Sequence, residues 1–218
     1  AVLILTPLSC IGEPEYKKEH TIGIGLLEQE SWEEAIIHFD KSINLKKEYA
    51  PVYVDRGFAN YKLNNIEQAF KDYSEAIKIE PKNSKALSAR AEIQAFKGDF
   101  NAALTDLDLA ISEKNDDPSF YIIKGKVLGS LGQTDNAIKQ FESALDLNPE
   151  SPEAYYNIGI TYLALYEYSN AIQYFEKAIK FDDDNAAAYA NKGVAFAANG
   201  DYISATSEFS NAIEIDPK

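Results

Sequence analysis

The chain has 218 residues, 45% hydrophobic and 26% charged, enough apolar content for a packed core and too much for a disordered polymer. Its 21 Lys and Arg stand against 35 Asp and Glu, and the formal charge of −14 repels phosphate backbones. Nucleic-acid binding through bulk electrostatics is therefore excluded, and a charged partner is expected to be basic. A single cysteine, Cys10, rules out an internal disulfide framework and a multi-cysteine zinc site.

The first stretch, AVLILTPLSCIGEPEY, is apolar and uncharged through Gly12 and then abruptly charged. It is shorter than the 18 or so apolar residues needed to cross a bilayer, so it does not predict a transmembrane helix. Residues 1–15 resemble the end of a bacterial lipoprotein signal, in which a small residue, here Ser9, precedes the cysteine that is lipidated, here Cys10. Pro7 departs from that pattern, because the position three before the cysteine is usually Leu. The chain has no methionine, and a basic segment with the rest of the apolar run is expected upstream. The resemblance implies an exported protein at the periplasmic or cell surface, touching the membrane only through a lipid on Cys10. A cytoplasmic location is the alternative.

From Tyr16 onward one phrase recurs with a period of 34 residues. Alanine stands at Ala35, Ala69, Ala103, Ala137, Ala171 and Ala205. Four residues later come Phe39, Tyr73, Leu107, Phe141, Phe175 and Phe209. Three further on are Ser42, Ala76, Ala110, Ala144, Ala178 and Ala212, so small and large apolar residues alternate along one helical stripe. Twelve residues before the alanine stands Gly23, Gly57, Gly125, Gly159 or Gly193, with Ala91 in the third repeat. Glycine inside a helix costs about 1 kcal/mol relative to alanine, so its return needs a packing reason. The expectation is a helical hairpin in which the small residue of the first helix faces the small residue of the second. Pro81, Pro149 and Pro217 stop second helices, and KGD (97–99) and NGD (199–201) mark hairpin bends.

The pattern of aromatic, glycine, alanine with a large apolar residue, and proline resembles the tetratricopeptide repeat. The resemblance covers residues 16–218 as six repeats, 16–49, 50–83, 84–117, 118–151, 152–185 and 186–218. It implies an all-α fold, a right-handed superhelical solenoid of antiparallel helix hairpins.

Chemistry-bearing patterns are few. His20 and His38 lack metal-ligand spacing, and FDDDN (181–185) lacks the alternating ligands and central glycine of a calcium loop; it reads as an inter-repeat turn. No phosphate loop or nucleophile motif is legible, so no catalysis, cofactor or metal is expected. A second series precedes the glycine: Arg56, Arg90, Lys124 and Lys192 in four repeats, Ile22 and Ile158 in two. Sixteen residues later stand Asp72, Asp106, Gln140 and Glu208, against His38 and Tyr174, which predicts ion pairs inside hairpins rather than a basic ligand stripe.

In the tetratricopeptide family ligands bind the concave surface lined by first helices. Carried over, that surface comprises Lys17, His20, Thr21 and Ile24, then Val54, Asp55, Phe58 and Tyr61, then Lys85, Ser88 and Glu92. The later repeats contribute Ile122, Ile123 and Lys126, then Glu153, Tyr156, Asn157 and Ile160, then Ala190, Asn191 and Val194. The second half is the more apolar and has two asparagines one repeat apart, whose amides can hold peptide backbone. The Lys and Asn pattern of the chaperone-tail carboxylate clamp is not reproduced. The expected site is therefore a peptide groove of Ile122, Lys126, Tyr156, Asn157, Ile160, Asn191 and Val194. Two functions fit the sequence: a non-catalytic scaffold that binds an extended peptide or helix of a protein partner, or the repeat portion of a larger enzyme such as a glycosyltransferase.

Overall fold

The structure, a computed structural model, describes residues 12–217, so Cys10 and its apolar neighbours lie outside the described residues. The chain divides into two compact units between Ile93 and Gln94. The N-terminal unit holds α1 (Glu15–Glu28), α2 (Trp32–Leu45), α3 (Ala50–Lys62) and α4 (Ile66–Ile79). Helix α5 (Ser84–Phe96) contains the division. The C-terminal unit continues with α6 (Phe100–Glu113), α7 (Pro118–Ser130), α8 (Thr134–Leu147), α9 (Pro152–Ala164), α10 (Tyr168–Phe181), α11 (Ala186–Ala198) and α12 (Tyr202–Ile215). The described residues are all-helical, with no strand.

Local chemistry sets the ends of these helices. Asn83, Asp117, Ser151 and Asn185, spaced 34 apart, accept backbone N–H bonds from Ala86, Ser119, Ala154 and Ala188 and so cap α5, α7, α9 and α11. Asn185, the last residue of FDDDN, also donates to Asp182, which gives that acidic run a turn and capping role. Pro51, Pro118 and Pro152 occupy first turns, where the missing N–H is not needed. Each hairpin bends through one residue of positive φ: Glu30, Asn64, Gly98, Gly132, Tyr166 and Gly200.

Within each unit the two helices of a hairpin pack antiparallel, as in α1 with α2, α3 with α4, and α9 with α10, and each second helix packs on the next first helix, as in α2 with α3 and α8 with α9. The repeated alanines fill these contacts: Ala35, Ala69, Ala103, Ala137 and Ala171 are fully buried. The glycines act differently from the small-on-small contact expected. Each faces the aromatic ring sixteen residues on, and a Cβ at Gly57 or Gly159 would lie 2.7 Å from the ring of Tyr73 or Phe175. Gly193 stands in the same relation to Phe209, Gly23 to Phe39 and Gly125 to Phe141. A ring needs more room than a methyl group, and only glycine leaves it. In the sequence the repeat that has Ala91 also has Leu107 in place of a ring.

The charged series forms a ladder with more rungs than the sequence suggests. Arg56 grips Asp72 through Nε and Nη2, at 3.1 and 2.6 Å, and reaches back to Asp40 at 2.6 Å. Lys192 likewise bridges Glu208 at 3.1 Å and Glu176 at 3.5 Å. Lys124 pairs not with Gln140 but with Asp108, sixteen residues earlier, at 2.7 Å. The basic residue thus ties its own second helix, the preceding second helix, or both. Burial works to lower the pKa of Arg56, but the hydrogen bonds and charges of Asp72 and Asp40 outweigh it and raise it.

Candidate functional site

In the C-terminal unit α7 touches α9 and α9 touches α11, so three first helices present one continuous face. Successive turns bring residues 34 apart into line on it, and Lys126, Ile160 and Val194 occupy one such row. Val194 is 43% exposed, whereas Ile160 and Tyr156 are partly buried and pack on the core of Ala171, Phe175 and Ala195. The Tyr156 ring lies 5.9 Å from that of Phe175. Lys126 forms an exposed ion pair with Glu153 of the next repeat.

The two asparagines use their amide nitrogens locally. Asn157 Nδ2 donates to the Glu153 carbonyl at 2.7 Å. Asn191 Nδ2 donates both its hydrogens, to the Ala187 carbonyl at 2.9 Å and to the Tyr156 hydroxyl at 3.0 Å. These bonds fix the side chains on their helices and leave each Oδ1 able to accept a hydrogen bond. Between α7 and α9 lies a recess of about 350 Å3, whose lining includes Lys126, Gly129, Phe141, Asn157, Ile160 and Ala164.

One residue of the expected groove does not belong to it. Ile122 is 6% exposed and packs with Leu128, Ala137, Phe141 and Ile158 in the hairpin core, so it supports the face from behind. The recess beside Gly129 was not foreseen from the sequence, although the glycine itself is visible there.

The N-terminal unit corrects one further expectation. His20 is buried rather than a groove residue: Nε2 meets Asp55 Oδ2 at 2.7 Å and Nδ1 meets the Tyr49 hydroxyl at 3.2 Å. Desolvation, then the neighbouring Tyr16 and Asp55, raises the pKa of Tyr49. His38 pairs with Glu19 at 2.7 Å. Ile24 and Phe58 of this unit, 37% and 40% exposed, occupy the row equivalent to Ile160 and Val194. Trp32 meets the Phe58 ring edge-on and Lys62 covers it, at 5.8 and 5.4 Å, which reduces the apolar area left there.

Models of the TPR repeat and the tetratricopeptide repeat match residues 50–83, 125–165, 152–185 and 186–218, and the matches over 50–83, 152–185 and 186–218 each coincide with one helical hairpin. The chain is a tetratricopeptide-repeat protein. A U-box domain-containing protein 70 of Oryza sativa subsp. japonica is 31% identical to this TPR protein over 109 residues, which are 49% of the chain. That stretch is only 13% of the rice protein, so the TPR chain spans a small part of the curated relative it matches. Among solved structures, MamA is 25% identical with a TM-score of 0.64, covering 78% of this chain and 92% of its own. YrrB, a TPR protein with an unusual peptide-binding site, is 23% identical with a TM-score of 0.62, covering 83% and 93%. The TPR fold supports a protein-interaction scaffold.

Proposed function

We propose that the chain is a non-catalytic scaffold whose face of α7, α9 and α11 binds an extended peptide of a protein partner. The observation that carries the reading is the pair of asparagines one repeat apart, each anchored through Nδ2 with its Oδ1 left to accept. They stand beside the apolar row of Ile160 and Val194. An extended peptide presents N–H groups and side chains to the same wall and suits that alternation. The net charge of −14 favours basic residues in the ligand. Peptides selected from a random display library on the purified protein should bind the wild type and lose several-fold in affinity with Asn157→Ala and Asn191→Ala, each bond contributing about 0.5–1.5 kcal/mol. Equal affinity for wild type and double variant would overturn the groove assignment.

A second reading is that these repeats recruit substrate for a larger enzyme; the rice relative, in which the matched stretch is a small fraction of a longer protein, supports the longer chain that this reading needs. The complete reading frame decides between the two. We further propose that Cys10 is lipidated and holds the scaffold at a membrane, on the strength of the Ser9-Cys10 pattern. Among the described residues no helix is long and apolar enough to cross a membrane. Expression of the complete gene in a bacterium with a labelled fatty acid should label the parent and not Cys10→Ala; equal label in both would contradict a lipid on this residue.

A further inference from the structure

The recess between α7 and α9 contains two glycines with different reasons to exist. A Cβ at Gly125 would run into the ring of Phe141, so packing demands that glycine. A Cβ at Gly129 would meet nothing nearer than the Ala137 Cβ at 4.0 Å, an ordinary contact. Helix propensity disfavours glycine there, and packing does not ask for it. The equivalent positions of the other repeats are Leu27, Tyr61, Ala95, Leu163 and Ala197. Leu27, Tyr61 and Leu163 are each partly buried against their local core. At Gly129 the side chain that covers the core in those repeats is missing, and the recess is its place.

Two hydroxyls beside the recess are already satisfied, and Asn157 Oδ1 stands at its rim as an acceptor. Ser130 Oγ donates to the Lys126 carbonyl at 3.0 Å and Thr161 Oγ1 to the Asn157 carbonyl at 2.8 Å, so neither calls for a polar ligand atom. Phe141, Ile160 and Ala164 supply apolar wall, and Glu153 neutralises Lys126 at the rim. At about 350 Å3 the recess lies at the small end of the range of about 300–1,000 Å3 that small-molecule pockets occupy, a size for one or two side chains.

We infer that this recess is the anchor pocket of the face, taking one leucine- or tyrosine-sized side chain of an extended, basic-flanked peptide in the place that Gly129 leaves empty. The internal repeats identify the occupant, since Leu27, Tyr61 and Leu163 fill this position in three repeats where Ala95 and Ala197 stand in two others, and the net charge of −14 selects the flanks. The inference rests on the peptide-binding reading above.

The test uses peptides selected on the wild-type chain from a random dodecapeptide library, titrated against Gly129→Ala, Gly129→Leu and the double variant Asn157→Ala with Asn191→Ala. The selected peptides should share one large apolar residue. Gly129→Leu, or alanine at that peptide residue, should weaken binding about tenfold or more, and the two changes together little further. The melting midpoints of both Gly129 variants should equal or exceed that of the wild type, because a side chain restores helix propensity and covers the core. Unchanged affinity in Gly129→Leu, or a melting midpoint well below the wild type in Gly129→Leu, overturns the anchor pocket. If the asparagine variant still weakens binding in that case, the groove reading stands without it. Peptides indifferent to both sets of changes, or a library that yields no binder, overturn both.

Discussion

Tyr166 bends the chain between α9 and α10 with φ of 62°, in a conformation that Gly98, Gly132 and Gly200 adopt at the same point of other repeats. A side chain in left-handed backbone costs about 1–2 kcal/mol, and glycine gives part of that back in unfolded-state entropy. Tyr166→Gly should therefore stabilise the chain by about 1 kcal/mol or less, read as a higher urea midpoint. The bends with glycine are legible in the sequence, whereas those with Glu30 and Tyr166 are not, because only the 34-residue register reveals that they share a conformation. Gly57 gives the opposite sign: with the Tyr73 ring 2.7 Å from a new Cβ, Gly57→Ala should destabilise by about 1–3 kcal/mol of overpacking, measured in the same titration. The Tyr73 ring is buried, and desolvation, then the charges of Glu92 and Tyr61, pushes its pKa well above the ordinary value near 10. Since the folded pKa lies above the unfolded one, this contribution is intact below pH 10 and is lost as the pH rises beyond it. The fall in urea midpoint from pH 8 to pH 11 should be smaller in Tyr73→Phe than in the wild type.

At the scale of helices the ion ladder shows what periodicity can and cannot reveal. Opposite charges sixteen residues apart point to Arg56 with Asp72, Arg90 with Asp106 and Lys192 with Glu208; the first and last of these pairs are present, at 2.6 and 3.1 Å. The backward rungs to Asp40, Asp108 and Glu176 are not legible in the sequence, because they join successive hairpins and become visible only when the stacking of second helix on first helix is known. Asp72 is 2% exposed and also accepts from Asn60 and Gln68. Arg56→Met would strand this buried carboxylate and should destabilise by about 3–5 kcal/mol, while adding Asp72→Leu should recover much of the loss. A double-mutant cycle by urea unfolding of the intact chain checks it; a coupling near zero would show the pair to be incidental. The same geometry explains Ile122. Its row also contains His20, Val54, Ser88, Tyr156 and Ala190 and is mostly buried or half-buried, so polarity alone could not tell wall from core, whereas the row of Ile24, Phe58, Ile160 and Val194 reaches solvent more.

At the scale of the molecule, the period of 34 made the helices and their pairing readable from the sequence, since one phrase repeated in phase can bury its apolar stripe only by stacking. The proposed ligand face is readable only in outline. Apolar residues recur in the same row of both units, and what separates them is local: Trp32 and Lys62 partly cover Phe58, whereas the C-terminal face adds two anchored asparagines and an open recess. The proposed ligand binding belongs to α7, α9 and α11. It is tested most directly by titrating the isotopically labelled chain with a peptide selected on it and following backbone and methyl resonances. Shifts should concentrate at Lys126, Gly129, Asn157, Ile160, Asn191 and Val194; shifts confined to Ile24 and Phe58, or to the exposed side of α12 around Ile203 and Ile213, would place binding elsewhere and overturn this assignment.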